Sequence, residues 1–517
     1  MRQDKLHAVA NVAFPSRDRQ GAADSTPSKH VGRSLTVAAR KYDTFTCRRN
    51  DQTLTLDYPS AKPQAANGKW RALIVILAFA PCIAHAQPVE AELHKPSAWP
   101  DRVVLTWRGD PARSQAVTWR TDVSVRDGVA EIAPADGGRA FLAKIASHKA
   151  VTTPLTTDLG AAHYHVVNFQ DLAPATQYAY RVGDGVRFSE WHHFRTASAK
   201  PEPFTFLYFG DAQHEIRSLW SRLIREAYAH APRARFTLHA GDLINIAGSD
   251  SEWGEWHQAA GFINARIPVL PSPGNHEFSG FGAKDESGVT AHWKAQFALP
   301  ANGPAGLEHC VYYLDIQGAR IVCLNSNEKR AEQAAWLDRV LADNPNRWTI
   351  VAFHHPVMSS AFSRDNTDLR KRWLPILDKH RVDLVLQGHD HSYARSGLDG
   401  FRDAGGRGTM FVVSVSGPGF YKVDQLGWMR RWGEGKQLFQ AITIDGDRLH
   451  YEARSATGEL HDSFDLTKQP EGKMNVLEDG PAAPESKTSP QNPSTNWVPV
   501  LAVLGLVIVL VLMRVRR

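Results

Sequence analysis

Hydrophobic and polar positions change rhythm along the 517 residues. From Pro88 to about Thr196, apolar residues come in short runs between turn residues: Arg102–Trp107, Gln115–Trp119, His163–Val167, Tyr178–Val182 and His192–Thr196. None of this stretch carries a long helical period, and the pattern predicts a small β-sandwich over residues 88–197. From Pro203 to about Leu466, apolar strands alternate with amphipathic stretches. Phe204–Phe209, Arg235–His239, Pro268–Pro271, Trp348–Phe353 and Val382–Leu386 read as strands, and residues 218–230, 252–262, 331–342 and 369–380 read as helices. A hairpin joins Val311–Leu314 to Ile321–Val322, and Thr409–Ser416, Leu438–Ile444 and Arg448–Ala453 read as antiparallel strands. This predicts a mixed α/β layered domain over residues 203–466, without internal repeats.

The two ends read differently. Residues 1–68 are polar and patternless, as in a disordered or over-extended leader. Lys69-Trp70-Arg71 precedes an apolar run to Ile83 and then Ala84-His85-Ala86, a secretory signal over residues 69–86 with cleavage after Ala86; a buried core strand is the competing reading. Residues 467–496 have the composition of a flexible stalk. Trp497 to Met513 carries no charge and is followed by a basic tail over 514–517, so a membrane-spanning helix with a cytoplasmic end is expected, or a cleavable sorting tail of similar design. The globular part is then expected on the periplasmic or extracellular side, anchored in the membrane.

Charge follows the same division. The formal net charge is +6, but residues 1–86 account for +7 and the remainder for −1. Without Arg514, Arg516 and Arg517 the body stands at −4. A nucleic-acid partner loses its main support. Of four cysteines, Cys310 and Cys323 flank the hairpin, where either one disulfide or two buried thiols fit.

The candidate chemistry sits where strands end: Gly210-Asp211, Gly241-Asp242, Gly274-Asn275-His276-Glu277, Val351-Ala352-Phe353-His354-His355 and Gly388-His389-Asp390-His391. Ligands gather at such strand ends in open α/β sheets. Carboxylates bridge cations and imidazoles bind Zn, Fe, Ni or Mn. Each fragment alone is an ordinary turn; five in order after five strands are not.

These five motifs resemble the metallophosphoesterase (calcineurin-like phosphoesterase) superfamily, in its purple acid phosphatase-like branch, and the likeness extends over the fibronectin type III-like sandwich, roughly residues 95–465. The resemblance implies a four-layer α/β/β/α catalytic sandwich and a phosphoric ester hydrolase acting on small phosphate monoesters or diesters through a hydroxide activated by two metal ions. Carried over, Asp211, Asp242 and His391 would hold one ion, and Asp242, Asn275, His354 and His389 the other, with Asp242 bridging and catalytic. His276 would face the substrate and help protonate the leaving group. Glu277 and Asp390 would orient imidazoles. His355 would touch substrate or close the shell, and Arg364 or Arg370 could grip phosphate. Two departures matter. The family's tyrosine three residues after the second aspartate is Asn245 here, and the histidine found in many members two residues after the first aspartate is Gln213. Either amide could donate a neutral oxygen. With only two aspartates as protein anions, divalent Mn, Zn or Fe is expected, without a tyrosinate–iron colour. The alternative from another class is an exported metal-binding sensor with little turnover.

Overall fold

The structure is a computed structural model; it describes residues 91–278, 288–399, 408–470 and 475–482, with the backbone of two strands nearer the start. Those strands, β1 (Thr44–Arg49) and β2 (Gln52–Asp57), pair antiparallel with Thr44 opposite Asp57, in a compact unit of their own. They fall in the leader that composition read as patternless. Alternating Thr/Phe and Thr/Leu positions on either side of Asn50-Asp51 are the missed hairpin signal. The candidate signal at 69–86 and the candidate span at 497–513 lie outside the described residues. Among the described residues no helix is long and apolar enough to cross a membrane.

The sandwich packs two four-stranded sheets. One is ordered β3 (Asp101–Thr106), β4 (Gln115–Asp122), β8 (Gly160–Phe169), β7 (Val151–Thr157). The other is β10 (His192–Arg195), β9 (Gln177–Gly183), β5 (Val129–Pro134), β6 (Ala146–Lys149). Trp119, Phe169, Tyr180 and Phe194 fill the space between them. β5, β6 and β7 went unread in the sequence: β6 (ASHK) and β7 (VTTPLTT) have low apolar content and no buried residue, whereas β5 (VAEIAP) is apolar but short and bounded by Pro134.

The second domain stacks two seven-stranded sheets. The first runs β13 (Val269–Ser272), β12 (Thr237–Ala240), β11 (Phe204–Phe209), β21 (Leu438–Asp445), β22 (Arg448–Ser455), β23 (Leu460–Lys468), β24 (Asn475–Asp479). The second runs β14 (Tyr312–Ile316), β15 (Ala319–Cys323), β16 (Trp348–Phe353), β17 (Leu384–Gln387), β19 (Met410–Val413), β18 (Tyr393–Arg395), β20 (Arg431–Gly433). β11, β12 and β13 are mutually parallel, as are β15, β16, β17 and β19. Every residue of β15 and β16 is buried, as expected of strands covered on both faces. The sheets are bonded to each other: the Tyr208 hydroxyl donates to the Gln387 carbonyl at 2.6 Å and the Ser272 hydroxyl to the Ala352 carbonyl at 3.2 Å.

Helices α1 (Ser221–His230) and α2 (Asp250–Ala260) accompany the first sheet, and α3 (Ala291–Gln296) follows β13. α4 (Arg330–Ala342) and α5 (Thr367–Lys379) accompany the second sheet, where Trp373 meets Phe353 edge to face at 5.0 Å. Residues 475–479, assigned by composition to a stalk, are instead the edge strand β24, held by Arg395 and Arg430 on Asp479. Cys310 and Cys323 are both buried and not joined in a disulfide. Cys323 faces Tyr312 across the hairpin rather than Cys310, so register keeps the sulfurs from pairing.

Candidate metal centre

Five strands deliver the five motifs to one edge. Asp211 follows β11, Asp242 follows β12, Asn275 follows β13, His354 follows β16, and His389 and His391 follow β17. Four of these six residues turn through the left-handed region: Asp211 (φ 39°), Asp242 (φ 50°), His389 (φ 72°) and His391 (φ 44°). Non-glycine residues are held there at a cost, and such residues cluster at functional sites. Tight glycines allow the approach: a methyl on Gly274 would collide with Asp242 Oδ1, and one on Gly388 with Asp211 Oδ2.

One group forms around His354. Its Nδ1 donates to the Ala240 carbonyl at 2.8 Å, so Nε2 is the end turned into the site. Nε2 faces Asp242 Oδ2 at 3.1 Å, Asn275 Oδ1 at 3.0 Å and His389 Nδ1 at 3.1 Å. His355 stands behind, its ring 4.2 Å from that of His389 and its Nδ1 on the Ser326 hydroxyl at 2.9 Å. The second group joins Asp211, Asp242 and His391, with His391 Nε2 at 3.4 Å from Asp211 Oδ1. Asp211 also accepts the His389 backbone N–H on both oxygens, at 3.0 and 2.8 Å.

Acceptors turned toward one another in a buried space repel unless a cation or proton lies between them. Burial opposes a charge on His354, but the charge and hydrogen bond of Asp242, with the charge of Asp211, outweigh it and raise the imidazole to about 9. Burial, then the neighbouring His354 and His355, push His389 the other way, far below its ordinary range. On the Asp211 side, the Gln213 amide lies 3.0 Å from His391 Nε2, while Gln213 Oε1 and His391 Nδ1 are buried without a hydrogen-bond partner. The donor set therefore fits cations, with one carboxylate, Asp242, common to both groups.

The remaining candidates sort by contact. His276 Nδ1 donates to the Asn245 carbonyl at 2.6 Å, so Nε2 is its free end, 3.9 Å from Asp242 Oδ2 in a partly exposed position. Asn245 thus serves the site through its backbone. Arg364 donates to the His389 carbonyl at 3.0 Å and lies over the Tyr421 ring at 4.6 Å. Arg370 is turned away, bonded to Asp365 and to the Val357 carbonyl. Glu277 and Asp390 do not bond the imidazoles. Glu277 accepts the backbone N–H groups of Asp242 (3.0 Å), Leu243 (2.8 Å) and Gly274 (2.6 Å), and Asp390 accepts those of Ser360 (2.6 Å) and Ala361 (3.2 Å). Both carboxylates brace loops, because tight ligand loops leave backbone donors that something buried must satisfy. Burial, then the Asp242 charge, push Glu277 up to about 7.

Two residues escaped the sequence reading. Tyr421 stacks on His391 at 4.4 Å with the rings 4° from parallel, and the His214 ring lies 6.2 Å from that of His391. Tyr421 comes from the loop after β19. That strand is parallel to β17, with Val413 opposite Gln387, so its loop leaves from the same edge as the histidines. Gly417-Pro418-Gly419 after a buried strand was the available signal.

A profile of the purple acid phosphatase N-terminal domain matches residues 100–196, and one of calcineurin-like phosphoesterases matches residues 204–393; together they cover more than half the chain. An uncharacterised protein of Mycobacterium tuberculosis is 29% identical over 280 residues, 46% of this chain and 51% of that protein. Acid phosphatase type 7 of Homo sapiens is 26% identical over 358 residues, 63% of this chain and 76% of that protein. The chain thus spans about half the length of the mycobacterial relative. Among solved structures, the purple acid phosphatase PPD1 from yellow lupin seeds superposes with a TM-score of 0.61 over 77% of this chain and 78% of its own, at 18% identity, a likeness of fold.

Proposed function

The chain belongs to the calcineurin-like phosphoesterases and carries the N-terminal domain of purple acid phosphatases, and from this premise we propose that it hydrolyses small phosphate esters at a two-metal centre. Asp211, Asp242 and His391 would hold one ion and Asp242, Asn275, His354 and His389 the other. The observation that carries this reading is the set of buried acceptors converging on His354 Nε2, with Asp242 shared by both groups. A bound pair of divalent cations would supply Lewis-acid activation of phosphate and water.

The chain's own residues do the rest. His276, pinned through Nδ1, presents Nε2 where a protonated ring can donate to a departing ester oxygen. Glu277 keeps the Asp242 and Asn275 loops together through three backbone bonds. Arg364 fixes the His389 carbonyl at 3.0 Å and brings a positive charge beside the site, which would favour an anionic ester. Phosphate monoesters are the proposed main substrates, with diesters second, and the ions are divalent Mn, Zn or Fe. The sequence patterns at 69–86 and 497–513 support an exported, membrane-tethered location.

The test is turnover of p-nitrophenyl phosphate and bis-p-nitrophenyl phosphate by the full chain with Mn or Zn added. Metal-dependent release of nitrophenol is expected. The second reading, a metal-binding protein with little turnover, is favoured by the neutral Gln213 beside His391. Two ions per chain with no hydrolysis of either ester would establish it in place of the first.

A further inference from the structure

At the other end of the first catalytic sheet a cleft of about 520 Å³ opens between the sandwich and the catalytic domain. Arg195 reaches it from β10, Arg233 and Arg235 from the segment leading into β12, and Arg266 from the segment leading into β13. His193 adds an imidazole, and no carboxylate is among the residues lining the cleft. Glu202, beside Pro203 of the cleft wall, is the acid whose field reaches Arg235. Among the described residues none of the four guanidinium groups makes a side-chain hydrogen bond or ion pair.

What sets the cleft apart is the gathering of four such groups in one hollow. The body carries slightly more acid than base, so four guanidinium groups in one hollow are not an average outcome. Elsewhere on the same domain boundary the arginines are neutralised: Arg102 and Arg120 grip the buried Asp250 at 2.5 and 2.7 Å. In the cleft, half-buried Arg235 is depressed by burial first and by the Arg195 charge second. Arg195, Arg233 and Arg266 are exposed around it. Like charges gathered on a concave surface repel, and a multivalent oxyanion relieves this through forked N–H···O bonds that suit guanidinium better than ammonium. The volume lies within the range of small-molecule sites. The Thr205 and Thr443 hydroxyls, bonded to each other at 2.7 Å, add polar atoms to the wall.

We propose that this cleft binds a small anion bearing phosphate groups, at a site separate from the metal centre. Phe204 lines the cleft at the start of β11 and Asp211 follows the end of that strand. At about 3.3 Å per strand residue the two sites lie roughly 20 Å apart, too far for one small ligand to span.

The test is calorimetric titration of the full chain with methylenediphosphonate, whose P–C–P bridge resists hydrolysis. The Asp242→Ala chain, with the metal centre disabled, isolates the cleft. It should still bind one equivalent, and the affinity should fall with added salt. Adding Arg195→Ala and Arg235→Ala should weaken binding roughly tenfold or more, since each removes a forked charge contact. Arg195→Lys with Arg235→Lys should fall between, because charge remains and the fork is lost. An unchanged melting temperature in the arginine variants shows that they fold. Absence of binding in the Asp242→Ala chain, or binding indifferent to the arginine changes, overturns the proposal. So does arginine-dependent sedimentation with phosphatidate vesicles when free methylenediphosphonate does not bind, which would assign the charge to a lipid surface.

Discussion

The two halves of the metal centre are not built alike. Around His354 every element is braced: the ring by the Ala240 carbonyl, Asp242 by the His276 backbone N–H at 2.9 Å, and the loops by Glu277. Around His391 the bracing falls on Asp211, through the His389 backbone N–H, and the ring itself is held only by neutral groups besides that carboxylate. Gln213 faces the ring, Tyr421 stacks on it, and buried Gln213 Oε1 and His391 Nδ1 have no hydrogen-bond partner. The difference teaches that one half is pre-organised to hold its ion and the other leans on the shared Asp242. The sharpest break is therefore at Asp242. Asp242→Ala should empty both halves and lower kcat/KM by about 10³-fold or more, since Lewis-acid activation is lost entirely. Asp211→Ala should leave one ion per chain. Metal counting on the purified variants decides this; one ion kept by Asp242→Ala and none by Asp211→Ala would reverse the asymmetry.

The braced half is also tied to the sandwich. Arg102 and Arg120, on β3 and β4, clasp Asp250 at the start of α2. Two residues on, Glu252 accepts the N–H groups of Asn245 (2.6 Å) and Ile246 (2.8 Å), and the Asn245 carbonyl receives His276. Asp250→Ala leaves two buried guanidinium groups short of their carboxylate and should cost about 3–5 kcal/mol of stability, read as a fall in urea midpoint. Burial opposes ionisation of Asp250, but the His292 ring, its Nε2 3.3 Å from Oδ1, and the charges of Arg102 and Arg120 hold its carboxyl well below the usual carboxylate range. A depressed acid stabilises above its unfolded pKa of about 3.9, and that contribution is lost as pH falls through the folded value. The urea midpoint of the wild type should thus drop below about pH 4, and Asp250→Ala should flatten that part of the profile.

How much of this could be read in the sequence follows from distance along the chain. Each candidate motif is local, a short run at a strand end, and the six candidate positions that the fold brings to one edge were all legible in it. The clasp joins residues 148 and 130 positions apart, and no local rhythm marks such a pair. Tyr421 was hidden for the same reason: only the β17–β19 pairing brings its loop to the histidines. Glu277 was visible but misassigned, because sequence shows a carboxylate near ligands without showing that backbone donors claim it.

His276 tests the braced half without emptying it. His276→Ala should keep two ions and lose about 10²–10³-fold in kcat, the usual cost of removing a positioned acid or donor. The loss should shrink for p-nitrophenyl phosphate, whose leaving group needs little protonation, and grow for alkyl phosphates. Equal losses on both ester types would mean that His276 does not serve the leaving oxygen.

The smallest change should act on the weaker half alone. Gln213 already lies 3.0 Å from His391 Nε2, so a histidine at this position would set a second imidazole beside Asp211 and His391. Imidazole binds borderline divalent cations better than a carboxamide oxygen does. Gln213→His should therefore raise the chelator concentration that strips one ion by on the order of tenfold, worth about 1.4 kcal/mol. The ion of the His354 half should leave at the same concentration as in the wild type. A two-step chelator titration monitored by metal release separates the ions. If both steps move together, the halves share one affinity and the asymmetry argued from their bracing is not real.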